Sequence, residues 1–267
     1  MKGLFLVKLG GSLITDKSKP FTEKKGVIRR LAKEIKTGME KTGNLVIVGH
    51  VGGSYPHVPA KKYRTAEGMI NSDSQKGMAE VQDAASRLNR IVVEEFIKVG
   101  LNAVSVSPSS FSIGRKGKVY KAFLTPIKEM LKWGLVPVVY GDVVIDVVKG
   151  CAIFSTEKTL NNLALKLGGF FKVRKIVHCG TTDGVYDREG KTVLKLERKS
   201  FEKMRGEIGI SAGIDVTGGM LHKVEESLAV AKRGVSCTII NGNRVGELVG
   251  TLQGKSHRGT EIFGDDY

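Results

Sequence analysis

Cysteine is scarce in this 267-residue chain: Cys151, Cys179 and Cys237 are odd in number, far apart and form no CxxC pair. That excludes a disulfide framework or a cysteine-ligated zinc site and fits a reducing compartment. No apolar run approaches the roughly 18 residues of a membrane span. Residues 1–13 are too few and too rich in glycine for a secretory signal. The expectation is a cytoplasmic protein with no membrane partner. The chain also lacks internal repeats, low-complexity tracts, a GxxxxGK[ST] loop and any aromatic-interleaved basic block. Acidic residues are few beside basic ones, 27 against 43, for a formal net charge of +16. Such an excess suits a face that releases counterions from nucleic acid, or a field that gathers small phosphorylated substrates. It also suits a plain solvated surface. Because the cations are spread along the chain, as in Lys24-Lys25, Arg29-Arg30 and Lys61-Lys62, the solvated surface is preferred and no nucleic-acid partner is expected.

What remains is ordinary for a globular protein, with 41% hydrophobic and 26% charged residues and enough length for a full core. Strand-like runs at 4–9, 45–48, 103–106, 136–140, 175–179 and 236–240 alternate with helical periodicity at 27–39, 74–99, 126–133, 158–167 and 220–233. This alternation predicts an α/β fold with a parallel-rich sheet and helices on both faces. Two stretches break it: 112–121 reads as a polar hairpin, and 183–206 as a hairpin plus a charged loop. Met69, Ile70, Met78 and Val81 lie near the long helix and read as core, with an apolar substrate pocket as the other use for them.

Three glycine clusters carry the chemistry. Lys8-Leu9-Gly10-Gly11-Ser12 follows the first strand, where paired glycines let backbone N–H groups approach phosphate oxygens and the ammonium neutralises them. Alone it is also a simple turn. Val51-Gly52-Gly53-Ser54-Tyr55-Pro56-His57 follows the second strand, and its histidine either binds a phosphate or caps the next helix. Two such turns at one sheet edge point to a ligand there more strongly than either alone. The third cluster, Asp215 to Lys223, puts a lysine in the first turns of a helix. A cation there opposes the helix dipole and makes sense beside a bound polyphosphate. Gly141-Asp142 and Thr182-Asp183-Gly184 add turns along the same edge.

Lys8-Leu9-Gly10-Gly11-Ser12, Thr182-Asp183-Gly184-Val185-Tyr186-Asp187 and Thr217-Gly218-Gly219-Met220 with Lys223 resemble the amino acid kinase superfamily. Lys17, Gly52-Gly53-Ser54-Tyr55 with His57, Gly141-Asp142 and Gly259-Thr260-Glu261-Ile262 are most similar to its isopentenyl phosphate kinases. Val51 and Pro56 stand where glycines are usual, and Ser155-Thr156-Glu157-Lys158 replaces Ser-Gly-Asp-Asp. The resemblance implies an open αβα sandwich on one mostly parallel sheet, in a homodimer using Mg-ATP. The grouping of the phosphate-type motifs on either side of Ala152 divides it into an acceptor lobe at 1–151 and a nucleotide lobe at 152–267. It implies ATP contacts from Lys8, Gly10, Gly11, Ser12, Gly53, Asp183, Gly219 and Lys223, with Lys8, Lys17, Lys223 and His57 catalytic. Acceptor contacts would come from Gly52, His57, Gly141, Asp142, Thr156 and Glu157, and no protein residue would ligate the metal. The implied reaction is phosphorylation of isopentenyl phosphate to the diphosphate. The alternatives are a related kinase for another small phosphate, phosphonate or acid, and a non-catalytic nucleotide- or nucleic-acid-binding protein on the same fold.

Overall fold

A computed structural model describes residues 2–206 and 219–264. Its first half runs β1 (Gly3–Leu9), α1 (Gly11–Ile14), α2 (Lys25–Thr42), β2 (Leu45–His50), α3 (His57–Lys62), α4 (Ser74–Lys98) and β3 (Ala103–Ser105). There follow α5 (Pro108–Phe111), β4 (Ser112–Arg115), β5 (Lys118–Ala122), α6 (Thr125–Lys132), β6 (Val136–Tyr140), β7 (Asp142–Asp146) and β8 (Gly150–Phe154). The chain continues through α7 (Thr156–Leu167), β9 (Lys172–Gly180), β10 (Lys195–Leu196), α8 (Arg198–Met204), α9 (Gly219–Ala231), β11 (Cys237–Asn241), α10 (Glu247–Leu252) and β12 (Thr260–Ile262).

Eight strands form one sheet in the order β10-β12-β11-β9-β1-β2-β6-β3, parallel throughout except where β12 meets β11. All seven residues of β1 are buried, as expected of a central parallel strand covered on both faces. Strand alternation sorts the core into two layers. Leu4 and Leu6, Leu45 and Ile47, and Ile176 pack against Leu160, Leu163 and Val224, under α7 and α9. Phe5, Val7, Val46, Val48 and Val177 pack against Ile28, Leu31, Val92, Phe96 and Leu252, under α2, α4 and α10. The fold is the expected open αβα sandwich, and its sheet runs unbroken through both halves of the sequence. Residue 152 lies inside β8.

The 112–121 hairpin is present as β4 and β5, and it belongs to a second sheet ordered β5-β4-β7-β8. That second sheet was hidden in the sequence because β6, β7 and β8 follow one another as a nearly continuous apolar run. The supposed charged loop at 183–206 contains α8, which buries Phe201 and so shows little periodicity. The residues before it form an isolated bridge, Tyr186 to Thr192, and then β10, which pairs with β12. Met69 and Ile70 are exposed, at 37% and 42%, and are not core. Val81 is buried, and Met78 packs against it.

Candidate active site

Loops leaving the C-terminal ends of β1, β2, β6 and β9 converge on one edge of the large sheet, the usual ligand edge of open α/β folds. Lys8 ends up beneath this edge because it follows Leu4 and Leu6 on the α7 side of β1. Opposite it on β2 is Gly49, where a Cβ would stand 2.7 Å from the Thr156 methyl. The missing side chain therefore lets the start of α7 descend onto the sheet. Ser155 caps that helix by accepting the Lys158 N–H at 3.2 Å, and Glu157 sits in its first turn, where the dipole favours a carboxylate. The buried Glu157 pairs with the buried Lys8. Burial would push this carboxyl up, but the Lys8 ammonium beside it holds it at about 2.

Two cavities open here. A cleft of about 400 Å³ is lined by Lys8, Gly10, Gly11, Ser12, Lys17, Gly180, Gly219 and Lys223. Lys223 Nζ reaches back over the sheet edge, to within 3.7 Å of the Cβ position at Gly180. Next to it is a smaller cavity of about 170 Å³, largely apolar, lined by Pro56, Ala60, Val81, Ile153 and Phe154, with His57, Gly52, Gly141, Asp142 and Thr156. Val51 and Glu157 line both and form the partition between them. His57 opens α3 at the cavity mouth. Burial and then the nearby Lys17 ammonium lower its pKa from the usual histidine value. Another concavity of about 650 Å³ lies on α2 and the end of α4, but its Arg29, Lys36 and Lys98 pair with Glu95, Glu40 and Glu94.

The loops are tied together by Thr15, which is fully buried. Its hydroxyl donates to the Gly11 carbonyl at 2.8 Å and accepts the Ser54 N–H at 3.1 Å. Ser54 in turn accepts the Thr22 N–H on its side chain, and the Tyr55 hydroxyl donates to Glu23 at 2.6 Å. The segment carrying Lys17 is thereby clamped to the turn carrying His57. Gly53 belongs to this clamp: its φ is +57° and a Cβ there would lie 2.3 Å from Thr15 Oγ1.

Several expected contacts take a different form. Gly53 packs against Thr15 and Gly11 and lines neither cavity. The Gly10 N–H donates to the Cys179 carbonyl at 2.8 Å, so it is already engaged. Gly11 and Ser12 open α1, where first-turn N–H groups have no carbonyl four residues earlier in the helix. Asp183 is absent from both linings. It accepts from Arg244 and from Asn241 Nδ2 at 2.9 Å, and the Arg244 guanidinium holds it at about 2. Asp142 lines the smaller cavity, but its carboxylate accepts the Ser109 and Val143 N–H groups, both at 2.9 Å, and burial pushes its pKa up. Thr156 donates its hydroxyl to the His50 carbonyl at 2.7 Å. Asp215, Thr217 and Gly218 lie outside the described residues. Sequence reasoning missed Thr15, Val51 as a partition, Pro56 and Phe154 as walls, and the buried His178. Only the spacing of Thr15 between two glycine turns offered a signal.

Residues 3–241 match the Amino acid kinase family. The chain is 34% identical to isopentenyl phosphate kinase of Methanocaldococcus jannaschii over 97% of this chain and 98% of that protein. It is 32% identical to that of Methanothermobacter thermautotrophicus, over 98% and 99%. Among solved structures, one of isopentenyl phosphate kinase superposes with a TM-score of 0.81 at 27% identity, covering 97% of this chain and all of that one. The product complex of the T. acidophilum enzyme gives 0.75 at 27% identity, over 97% and 99%. The chain therefore belongs to the amino acid kinase family, alongside the isopentenyl phosphate kinases.

Proposed function

We propose that this protein is a phosphotransferase that moves the γ-phosphoryl group of ATP onto the phosphate of isopentenyl phosphate, giving isopentenyl diphosphate and ADP. One observation carries the proposal: a cationic cleft and a small apolar cavity share a single partition, Val51 and Glu157, with a histidine at the mouth of the apolar side. An apolar cavity of about 150 Å³ holds a benzene molecule, so about 170 Å³ suits a five-carbon tail.

Phosphoryl transfer needs positioning and charge neutralisation more than covalent help. Lys8 and Lys223, both lining the cleft, neutralise the β- and γ-phosphates, and Lys17 follows the group in transfer. Gly11 and Ser12 present N–H groups at the start of α1. His57 and the Gly52 turn hold the acceptor phosphate, while Pro56, Ala60, Val81, Ile153 and Phe154 enclose its tail. An oxygen of that phosphate attacks the γ-phosphorus, the bond to the β–γ bridging oxygen breaks, and ADP leaves with the electron pair. The acceptor's second ionisation lies near pH ~6, so no strong base is required. Glu157 keeps Lys8 extended toward the cleft.

Among the described residues no three His, Cys, Asp or Glu side chains cluster as a metal cage, and Glu157 is occupied by Lys8. These groups fit Mg2+ carried in on the nucleotide phosphates, where it would supply further charge neutralisation.

The test is ADP release with Mg-ATP and a panel of isopentenyl phosphate, dimethylallyl phosphate, fosfomycin, UMP, carbamate and N-acetylglutamate. Selective turnover of the two isoprenoid monophosphates is expected. Turnover of a carboxylate or of UMP alone overturns the acceptor, and ATP binding without any turnover overturns the kinase.

A further inference from the structure

Behind the cationic cleft lies a buried histidine to which the phosphate chemistry above gives no role. His178 is 2% exposed on β9, in register with Lys8 on β1 and so on the same α7 and α9 face of the sheet. Its Nε2 lies 3.1 Å from Ser227 Oγ on α9. Ser227, fully buried, donates its hydroxyl to the Lys223 carbonyl one turn earlier at 2.7 Å. A hydroxyl has one proton, so Ser227 can only accept from the ring. His178 is therefore the Nε2–H tautomer. Its Nδ1 keeps the lone pair and has no hydrogen-bond partner among the described residues.

The surroundings keep the ring neutral. Burial first, then the Lys8 and Lys223 ammoniums, push the His178 pKa down to about 3 against the opposing pull of Glu157. The neutral ring has a single N–H, which Ser227 accepts while its own proton goes to the Lys223 carbonyl. A second tie, Asn161 Nδ2 of α7 to the Glu226 carbonyl and Oε2 at 3.1 Å, lies one residue away on α9. The carbonyl of the lysine that reaches over the cleft thus accepts from the serine that bonds the helix to His178 of the sheet.

We propose that His178 and Ser227 are positioning residues for nucleotide phosphates: their hydrogen-bond relay sets α9 against the sheet and so places Lys223 in the cleft that Lys8 also lines. The inference rests on the assignment of Lys223 to ATP. Catalytic groups misplaced by about 1 Å can lose roughly 100-fold in rate, so a helix setting is a sufficient lever.

The experiment is a double-mutant cycle on the full chain, following kcat, KM for ATP and KM for isopentenyl phosphate. Ser227→Ala is expected to lower kcat/KM for ATP about tenfold or more with the acceptor KM unchanged. In a Lys223→Ala background, where there is no ammonium to place, the same change is expected to cost less than about twofold. His178→Gln, which keeps an N–H near the Nε2 position, retains activity, whereas His178→Leu reproduces the Ser227→Ala loss. Equal losses in both backgrounds, or equal losses for Gln and Leu at 178, overturn the relay and leave His178 a core residue. If Lys223→Ala alone leaves ATP kinetics unchanged, the nucleotide assignment falls and takes the relay with it. Should Ser227→Ala fail to fold, the Gln and Leu comparison decides by itself.

Discussion

Replacing His57 with glutamine tests the acceptor side of the partition. The side chain stands at the mouth of the apolar cavity, more than a third exposed, and partial burial first and the Lys17 ammonium next lower its pKa. A hydrogen bond to a charged group contributes about 1.5–3 kcal/mol, and exposure argues for the lower end. Removing it should raise the KM for isopentenyl phosphate roughly tenfold while kcat changes little. The pH dependence gives a sharper signature. In the free protein the lowered pKa leaves His57 largely neutral near pH ~7, below which a free histidine begins to charge. A dianionic phosphate favours the imidazolium and raises that pKa, so binding takes up a proton. Acceptor affinity therefore falls as pH rises from the free toward the bound pKa. Below about pH 6 protonation of the acceptor itself works the other way. ADP-release kinetics at several pH values should show the wild-type acceptor kcat/KM declining on the alkaline side and a flat profile for His57→Gln. Superimposable profiles with unchanged KM would mean that His57 only begins α3.

Three further perturbations address the rest of the site. Lys8→Ala should reduce kcat by roughly 100- to 1000-fold, as loss of a preorganised charge does, with near-normal circular dichroism. Its partner Glu157→Gln should lose less, because an amide still hydrogen-bonds Lys8; equal losses would show that the charge of the pair matters more than its geometry. Gly53→Ala meets both a φ of +57° and a Thr15 oxygen 2.3 Å from the new Cβ. It should cost about 2–4 kcal/mol in a urea titration, summed from the left-handed penalty and overpacking. Thr15→Ala in the same chain should recover the overpacking part, and a neutral Gly53→Ala would refute the clamp. Acid should destabilise the fold through His50, held at about 4 chiefly by burial, and His178, held at about 3. Both pKa values are depressed below 6.5, so their stability is present above that value and is lost as pH falls toward 4 and then 3. The loss is on the order of 3 kcal/mol for His50 and on the order of 5 kcal/mol for His178. Unfolding at stepped pH for His50→Asn should flatten the upper part of that decline.

The large sheet was legible because its central strands β1, β2, β6 and β9 are short apolar runs, each ending in a glycine turn, and the long periodic helices α2 and α4 separate the early ones. The cleft was legible for the same reason: Lys8, Gly11, Ser12, Lys17, Gly219 and Lys223 each lie at or just beyond an element end, where local sequence reports position. Polar residues whose function depends on distant partners were not legible. Asp183 looks like any Asp-Gly turn, and only the fold brings Arg244 and Asn241, some 60 residues on, to occupy its carboxylate. His178 lies inside a strand-like run that gives no hint of Ser227 nearly 50 residues later. The second sheet was missed because three adjacent strands merge into one apolar stretch.

Val51, Pro56 and Thr156, which depart from the glycines that the resemblance leads one to expect, have a common physical consequence at the smaller cavity. Pro56 places its ring where any side chain at Gly52 would lie, the built Cβ falling 2.2 Å from its Cγ, so the turn is closed by an apolar wall. Thr156 removes backbone exposure at the start of α7 but directs its hydroxyl away from the cavity to the His50 carbonyl, with its methyl packed over Gly49. Val51 adds a branched apolar side to the partition. Each change gives up a close backbone approach and adds hydrocarbon next to the same cavity. A carboxylate or sugar acceptor would gain nothing from that exchange, because buried polar groups need partners that these side chains do not offer. A short hydrocarbon tail would, and the phosphate it carries would remain at the mouth beside His57 and Lys17.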